Sequence, residues 1–190
     1  MERVRGTNTD LNVEVKGLSV VDPGPGDRRH LANLDAAARQ LERHVTTILV
    51  THTHHDPSPA AHALQRTIGA GLLGPGRVED ALQDPAWQSA QPLVDGDKLP
   101  LTQGELLVIA TPGHVSNHLC FLHTSTGMLF SGDHLINGST VVIAPPSGSM
   151  SAYLHSLEKL LPFDIHTIAP GHGDLSHQPA LSIERTISPR

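Results

Sequence analysis

The sequence predicts an α/β fold in which mixed β-sheets are covered by helices. Three observations carry this. Short β-branched and aliphatic runs alternate with segments of helical period. Some consecutive runs are close enough to pair as hairpins. Seventeen Gly and fifteen Pro demand many turns, which argues against a helical bundle. At 190 residues the chain is expected to form one domain over residues 1–190, long enough to bury a substantial core. With one Trp, one Tyr and three Phe, that core must rest on Leu, Ile, Val and Ala.

In chain order, residues 11–15 and 18–21 read as strands, the second stopping at Asp22-Pro23-Gly24-Pro25-Gly26. Leu31, Leu34, Ala38 and Leu41 recur at helical spacing, so residues 31–43 form an amphipathic helix. The β-branched run 46–51 is a buried strand. Residues 58–68 place Ala61, Leu64 and Ile68 on one helical face, with Ser58 as N-cap and Pro59 in the first helical position. The stretch 69–97 reads mainly as turns, with a short helix near 78–82 and a strand edge at 92–94. Strands follow at 106–110, 119–123 and 128–130, the last two joined by a Thr-Ser-Thr-Gly turn. Residues 141–144 form a further extended run, and 151–161 carry Leu154, Leu157, Leu160 and Leu161 on a helical face. Residues 166–169 are a strand and 179–187 a closing helix.

Composition narrows function by exclusion. No apolar stretch approaches the ~20 residues that span a bilayer, so no membrane association is expected. Residues 1–10 are polar and charged, without the apolar core of a secretion signal, and a cytoplasmic location is the expectation. The single Cys120 excludes an internal disulfide framework and a thiolate-rich zinc site. A net charge of −6 provides no electrostatic footprint for nucleic acid, and Arg28-Arg29-His30 reads as a solvated turn. Fourteen His outnumber the thirteen Lys and Arg. Imidazole is the commonest neutral metal ligand, but a surplus means little until position is considered.

Position is informative in Thr51-His52-Thr53-His54-His55-Asp56-Pro57, directly after a predicted strand. Residues two apart in extended chain project to one side, so His52 and His54 can converge on one ion, with Asp56 reaching a neighbouring position. Imidazole nitrogens and a carboxylate suit zinc or a similar divalent metal. Three more strands run into such a residue through a Gly turn, at Pro112-Gly113-His114, Ser131-Gly132-Asp133 and Pro170-Gly171-His172. Taken singly, a Pro-Gly-His or a Gly-Asp is most often just a turn. Four strand-to-ligand junctions in this order favour a metal site, because ligands bind where strand ends converge.

This ordered set resembles the metallo-β-lactamase superfamily, over nearly the whole chain from Thr7-Asn8-Thr9 and Val21-Asp22-Pro23-Gly24 to His172. Phe130-Ser-Gly-Asp-His134, Gly138-Ser-Thr-Val-Val and Tyr153-Leu-His-Ser-Leu look most like its glyoxalase-II-like group, nearest the beta-lactamase-like protein 2 branch. The resemblance implies an αββα sandwich of two mixed sheets flanked by helices, with the active site at one edge. It also implies a two-metal zinc centre: His52, His54 and His114 on one ion, Asp56 and His172 on the other, Asp133 bridging. One departure stands out. The family's pattern has a second-metal His immediately after Asp56, where this chain has Pro57. The first site is therefore expected complete and the second weakened, with His55 and His134 as poor substitutes.

The expected reaction is hydrolysis by a water whose pKa the ion lowers from ~15.7 toward ~7. Asp56 would be the catalytic group that orients that water or accepts its proton. The resemblance favours a small thioester or related acyl substrate. An endoribonuclease or phosphodiesterase acting on RNA is the alternative, and a metal-binding protein with degenerate catalysis a third reading. Elsewhere, Asp22 reads either as a group steadying a ligand or as a turn residue. Asp22–Asp27 is not a phosphate loop, since no Gly-Lys-Ser/Thr follows. Ser116 and His118 lack a nucleophile elbow, and His118 is expected to line the pocket or cap the next strand. Cys120 and Tyr153 are expected in the core, and His62 in packing or on the surface.

Overall fold

Two five-stranded sheets are assembled from strands whose side chains alternate between an inner and an outer apolar face. The computed structural model describes residues 8–14, 16–24, 28–54, 58–78, 82–89 and 91–188. The first sheet has the order β1 (Asp10–Val13), β2 (Leu18–Val21), β3 (Val45–Leu49), β4 (Gly71–Gly74), β5 (Gln91–Pro92). In it β1 is antiparallel to β2, and the remaining pairs are parallel. The second has the order β10 (Thr167–Pro170), β9 (Met128–Gly132), β8 (Leu119–His123), β7 (Glu105–Ala110), β6 (Lys98–Pro100). There β10 is parallel to β9 and the others pair antiparallel. Helices α1 (Arg28–Gln40), α2 (Ser58–Ile68), α3 (Met150–Leu160) and α4 (Pro179–Ile187) complete the elements among the described residues.

Burial gives the layer order. Val21 and Leu49 of the first sheet pack with Leu106, Val108, Phe121 and Phe130 of the second, forming the core between the sheets. The neighbouring positions turn outward. Ile48 and Leu72 meet Leu34 of α1 and Ala61 and Leu64 of α2 around the buried Trp87. Ile109, Cys120, Leu122, Leu129 and Ile168 meet Tyr153, Leu157 and Leu160 of α3 and Ile183 of α4. The result is the expected αββα sandwich. The aliphatic core anticipated from composition is present, with Cys120 and Tyr153 buried in it.

Strand direction positions the site. Because β7 and β9 are both antiparallel to β8, they run the same way, and β10 runs with β9. The carboxyl ends of β7, β9 and β10 therefore emerge along one edge, which is where His114, Asp133 and His172 follow.

Several element readings change. β4 and β6 were not expected: the first is four residues bounded by Gly, the second three residues ending in Pro, each too short to show a period. The strand edge expected at 92–94 pairs instead through Gln91–Pro92. Helix α2 begins at Ser58, and Ser149 caps α3, its hydroxyl accepting from Ala152 N–H. Residues 141–144 join no strand. The helix expected near 78–82 falls largely outside the described residues. Among those residues no helix is long and apolar enough to cross a membrane.

Candidate metal centre

The first group of imidazoles follows β3, whose buried Ile48 and Leu49 hold the strand between two apolar layers. Beyond Leu49 the chain leaves the sheet, and Thr51 accepts Leu119 N–H through its carbonyl, tying this turn to the second sheet. The Asp22 carboxylate grips Thr51 twice. Oδ1 accepts the backbone N–H and Oδ2 the hydroxyl, both at 2.8 Å. Asp22 is buried and holds φ +46, a left-handed conformation that Asp tolerates better than most residues. Of its two sequence readings, the structure favours the group that steadies a neighbour of His52.

Thr51 has one hydroxyl proton, and it goes to Asp22. The contact of 3.0 Å between Thr51 Oγ1 and His52 Nδ1 must then be an Nδ1–H donated by the imidazole. This fixes the His52 tautomer with the Nε2 lone pair facing away from Thr51. The intervening Thr53 points elsewhere. Its hydroxyl donates to Gln83 Oε1 and accepts from Asn117 Nδ2 at 2.9 Å, while Asp84 N–H donates to Thr53 O at 2.7 Å. The turn is thus held on both sides, and His52 and His54 lie with ring centroids 4.9 Å apart at 89°.

His114, after β7, joins them. Its ring lies 4.7 Å from that of His54 and 5.2 Å from that of His52, nearly perpendicular to each. Its Nδ1 lies 2.5 Å from Val142 O and so carries the proton, leaving Nε2 as the lone pair 2.9 Å from His54 Nδ1. One nitrogen from each of the three His lies within 4.8 Å of the others. Two nitrogens bound to one zinc at about 2.0–2.1 Å cannot be more than about 4.2 Å apart, so small side-chain adjustments bring the set onto a single ion.

Asp133 and His172 extend the cluster. Asp133 is buried, with Oδ2 3.8 Å from His114 Nε2 and Oδ1 3.4 Å from His172 Nε2. One oxygen faces each imidazole. The approach depends on two glycines. Gly132 has φ +48, and a Cβ there would meet Thr51 and lie 2.9 Å from His118 Nε2. A Cβ on Gly171 would lie 2.7 Å from Asp133 Oδ1. Asn8 then holds the turn that carries His172. Its N–H donates to Gly171 O at 2.6 Å, and its Nδ2 to Pro170 O and Gly173 O at 2.8 Å each.

The donor set fits a divalent ion: three imidazoles, two with tautomers fixed by their outer hydrogen bonds, beside a buried carboxylate. His52, His54, His114, Asp133 and His172 are thus gathered at one edge. His55, Asp56 and Pro57 lie outside the described residues.

Other sequence readings resolve individually. His118 is buried below the cluster rather than lining a pocket, its ring stacked on His52 at 5.3 Å and 24°. Burial pushes its pKa well below the ordinary imidazole value, and the neighbouring His52 adds to this. Ser116 contacts Ser147, not His118. His134 is fully buried with its ring 4.9 Å from Tyr153, and burial lowers its pKa to about 3. This places it against α3 rather than in a substitute ligand position. His62 packs edge-on to Trp87 and lies 3.6 Å from Asp84. Thr51, Val142 and Asn8 were not singled out by sequence for any role. Only the proximity of Thr51 to His52 could have drawn attention to it.

Comparison with known proteins agrees with this fold. The metallo-beta-lactamase superfamily profile matches residues 13–172. The beta-lactamase-like protein 2 homolog of Drosophila melanogaster is 28% identical, covering 98% of this chain and 65% of that protein. An atrochrysone carboxyl ACP thioesterase of Aspergillus fumigatus is 26% identical over 97% of this chain and 56% of the relative. A hydroxyacylglutathione hydrolase of Pseudomonas syringae is 35% identical over 62% of this chain and 42% of the relative. The chain thus spans between 42% and 65% of the length of these curated relatives. Among solved structures, the BLEG-1 B3 metallo-beta-lactamase superposes with a TM-score of 0.78 at 21% identity, covering 96% of this chain and 94% of that one. On its motifs, sandwich and profile match, the chain belongs to the metallo-beta-lactamase superfamily.

Proposed function

We propose that this chain is a zinc-dependent hydrolase acting on a thioester or related small acyl substrate. The observation that carries the reading is the convergence of His52, His54 and His114, with Asp133 set between His114 and His172. In this reading the three His hold one ion, Asp133 reaches both sites, and Asp56 and His172 serve the second. Pro57 leaves that second site short of an imidazole. Zinc so held supplies a Lewis acid and lowers the pKa of water toward neutrality.

The chain's own groups do the rest. Thr51 and Val142 O keep the Nδ1 protons of His52 and His114 on the outer side, so that both Nε2 lone pairs are available. Asp133 turns one carboxylate oxygen toward each of two imidazoles, and Asp56, assigned from sequence alone, accepts a proton from the attacking water. Thioester chemistry is supported by the thioesterase and hydroxyacylglutathione hydrolase relatives. The net charge of −6 counts against a polyanionic substrate.

The test is hydrolysis of a panel of small acyl thioesters, with single-stranded RNA as the second substrate, by zinc-loaded and chelator-treated protein. Chelator-sensitive thioester turnover that His114→Ala abolishes is the expected result. RNA cleavage without thioester turnover would replace the reading with a phosphodiesterase. Tightly bound zinc with neither activity would leave a degenerate metal-binding protein.

A further inference from the structure

Below the imidazole cluster a chain of buried polar groups begins and ends on the β9 exit. Asp133 N–H can only donate, and its partner is His118 Nε2 at 3.2 Å. His118 Nε2 is therefore an acceptor, and the ring proton sits on Nδ1, 2.9 Å from Thr111 Oγ1. Thr111 Oγ1 accepts that proton and passes its own toward Cys120 Sγ at 3.2 Å. The Cys120 thiol faces Ser131 O at 3.7 Å, which can only accept. Every direction in the chain is thus fixed by its two ends, and each of the four side chains or carbonyl-bearing residues in it is essentially buried. The chain closes on Ser131, two residues before Asp133, and so encircles the Gly132 turn.

We propose that His118 is a positioning residue of the metal centre: its Nε2 holds the Asp133 backbone while its ring face supports His52. Two of the candidate ligands come from different sheets, β3 leading to His52 and β9 to Asp133. His118 touches both, through a ring stack of 5.3 Å and a hydrogen bond of 3.2 Å. Close packing makes the contact specific, since no Cβ fits on Gly132 without meeting His118 Nε2. Groups that orient metal ligands from outside typically contribute about 10–100-fold to metal affinity. The inference rests on the metal reading above, but its structural half, the restraint on Asp133, can be measured without any metal.

The experiment compares His118→Gln, His118→Asn and His118→Leu. A Gln amide oxygen can replace Nε2 as acceptor; an Asn amide reaches only the Nδ1 position; Leu offers neither. Zinc affinity is measured by competition with a chromophoric chelator, and Asp133 amide exchange by NMR on the metal-free proteins. The expected order is wild type and Gln within about threefold, Asn and Leu about 10–100-fold weaker. The Asp133 amide should exchange faster only in Asn and Leu. If Leu binds zinc as tightly as wild type, or if affinity follows melting temperature rather than the presence of an acceptor, the positioning role is overturned. Should wild type take up no zinc, the metal reading fails separately, and unchanged Asp133 exchange in Asn and Leu would refute the restraint on its own. If Asn and Leu fail to fold, Gln decides: loss of Asp133 protection in a folded Gln variant, which keeps the acceptor, contradicts the proposal.

Discussion

Thr51→Val removes one hydroxyl at nearly constant volume, in a fully buried position where little else changes. Two hydrogen bonds go with it. The one donated to the Asp22 carboxylate involves a charged acceptor and contributes about 1.5–3 kcal/mol, while the one accepted from His52 contributes about 0.5–1.5 kcal/mol. Since the Asp22 bond to Thr51 N–H remains, the net loss is about 2–4 kcal/mol. At a urea dependence of about 2–3 kcal/mol per molar, the unfolding midpoint should fall by about 1 M. The second consequence is functional. Without an acceptor on Thr51, the His52 ring loses the bond that selects its tautomer, and zinc affinity should fall about 10–100-fold. Urea denaturation of metal-free protein measures the first effect and chelator competition the second, with Thr51→Ser as the variant that retains the hydroxyl and both properties. A Val variant with an unmoved midpoint and unchanged zinc affinity would refute the assignment of Thr51 as the link between Asp22 and His52.

Further outcomes follow from the same geometry. Gly132→Ala should destabilise the protein by at least about 1–2 kcal/mol from its left-handed backbone alone, with further cost from the meeting with Thr51 and His118, seen as a lowered melting temperature. Burial pushes the Cys120 thiol up to about 12, so the native protein should not react with a thiol reagent at pH 8, and reaction should appear only on unfolding. The same shift carries a sign for stability. The folded-state pKa is raised, so its contribution is complete below about pH 9 and is lost as pH rises toward 12, at about 1.4 kcal/mol per pH unit. Cys120→Ala should flatten that alkaline slope in equilibrium unfolding. Pro57→His should raise the zinc content per chain, as read by elemental analysis, and an unchanged content would remove Pro57 as the cause of a weakened second site.

What could be read from sequence was local. His52, His54 and Asp56 come just after a β-branched strand, and His114, Asp133 and His172 each follow a strand and a Gly, so a few consecutive residues disclosed each junction. Their order along the chain then pointed to the fold. The missed strands β4 and β6 were too short for any period to register. The supporting contacts were hidden for a different reason: they join residues that only sheet packing brings together. Asp22 meets Thr51 across 29 positions, and Asn8 meets Pro170 across 162. His118 reads from sequence as a residue that lines the pocket or caps the next strand. Its burial is decided by the β9 exit passing directly over it, which no local pattern contains.

In the proposed centre, three imidazoles from two sheets share one cation. Diffraction at the zinc absorption edge from crystals of zinc-reloaded protein addresses it most directly. The expected result is an anomalous peak bonded to His52, His54 and His114 at about 2.0–2.1 Å from each nitrogen. A reloaded crystal with no peak among those rings, or with its zinc held elsewhere, would contradict it.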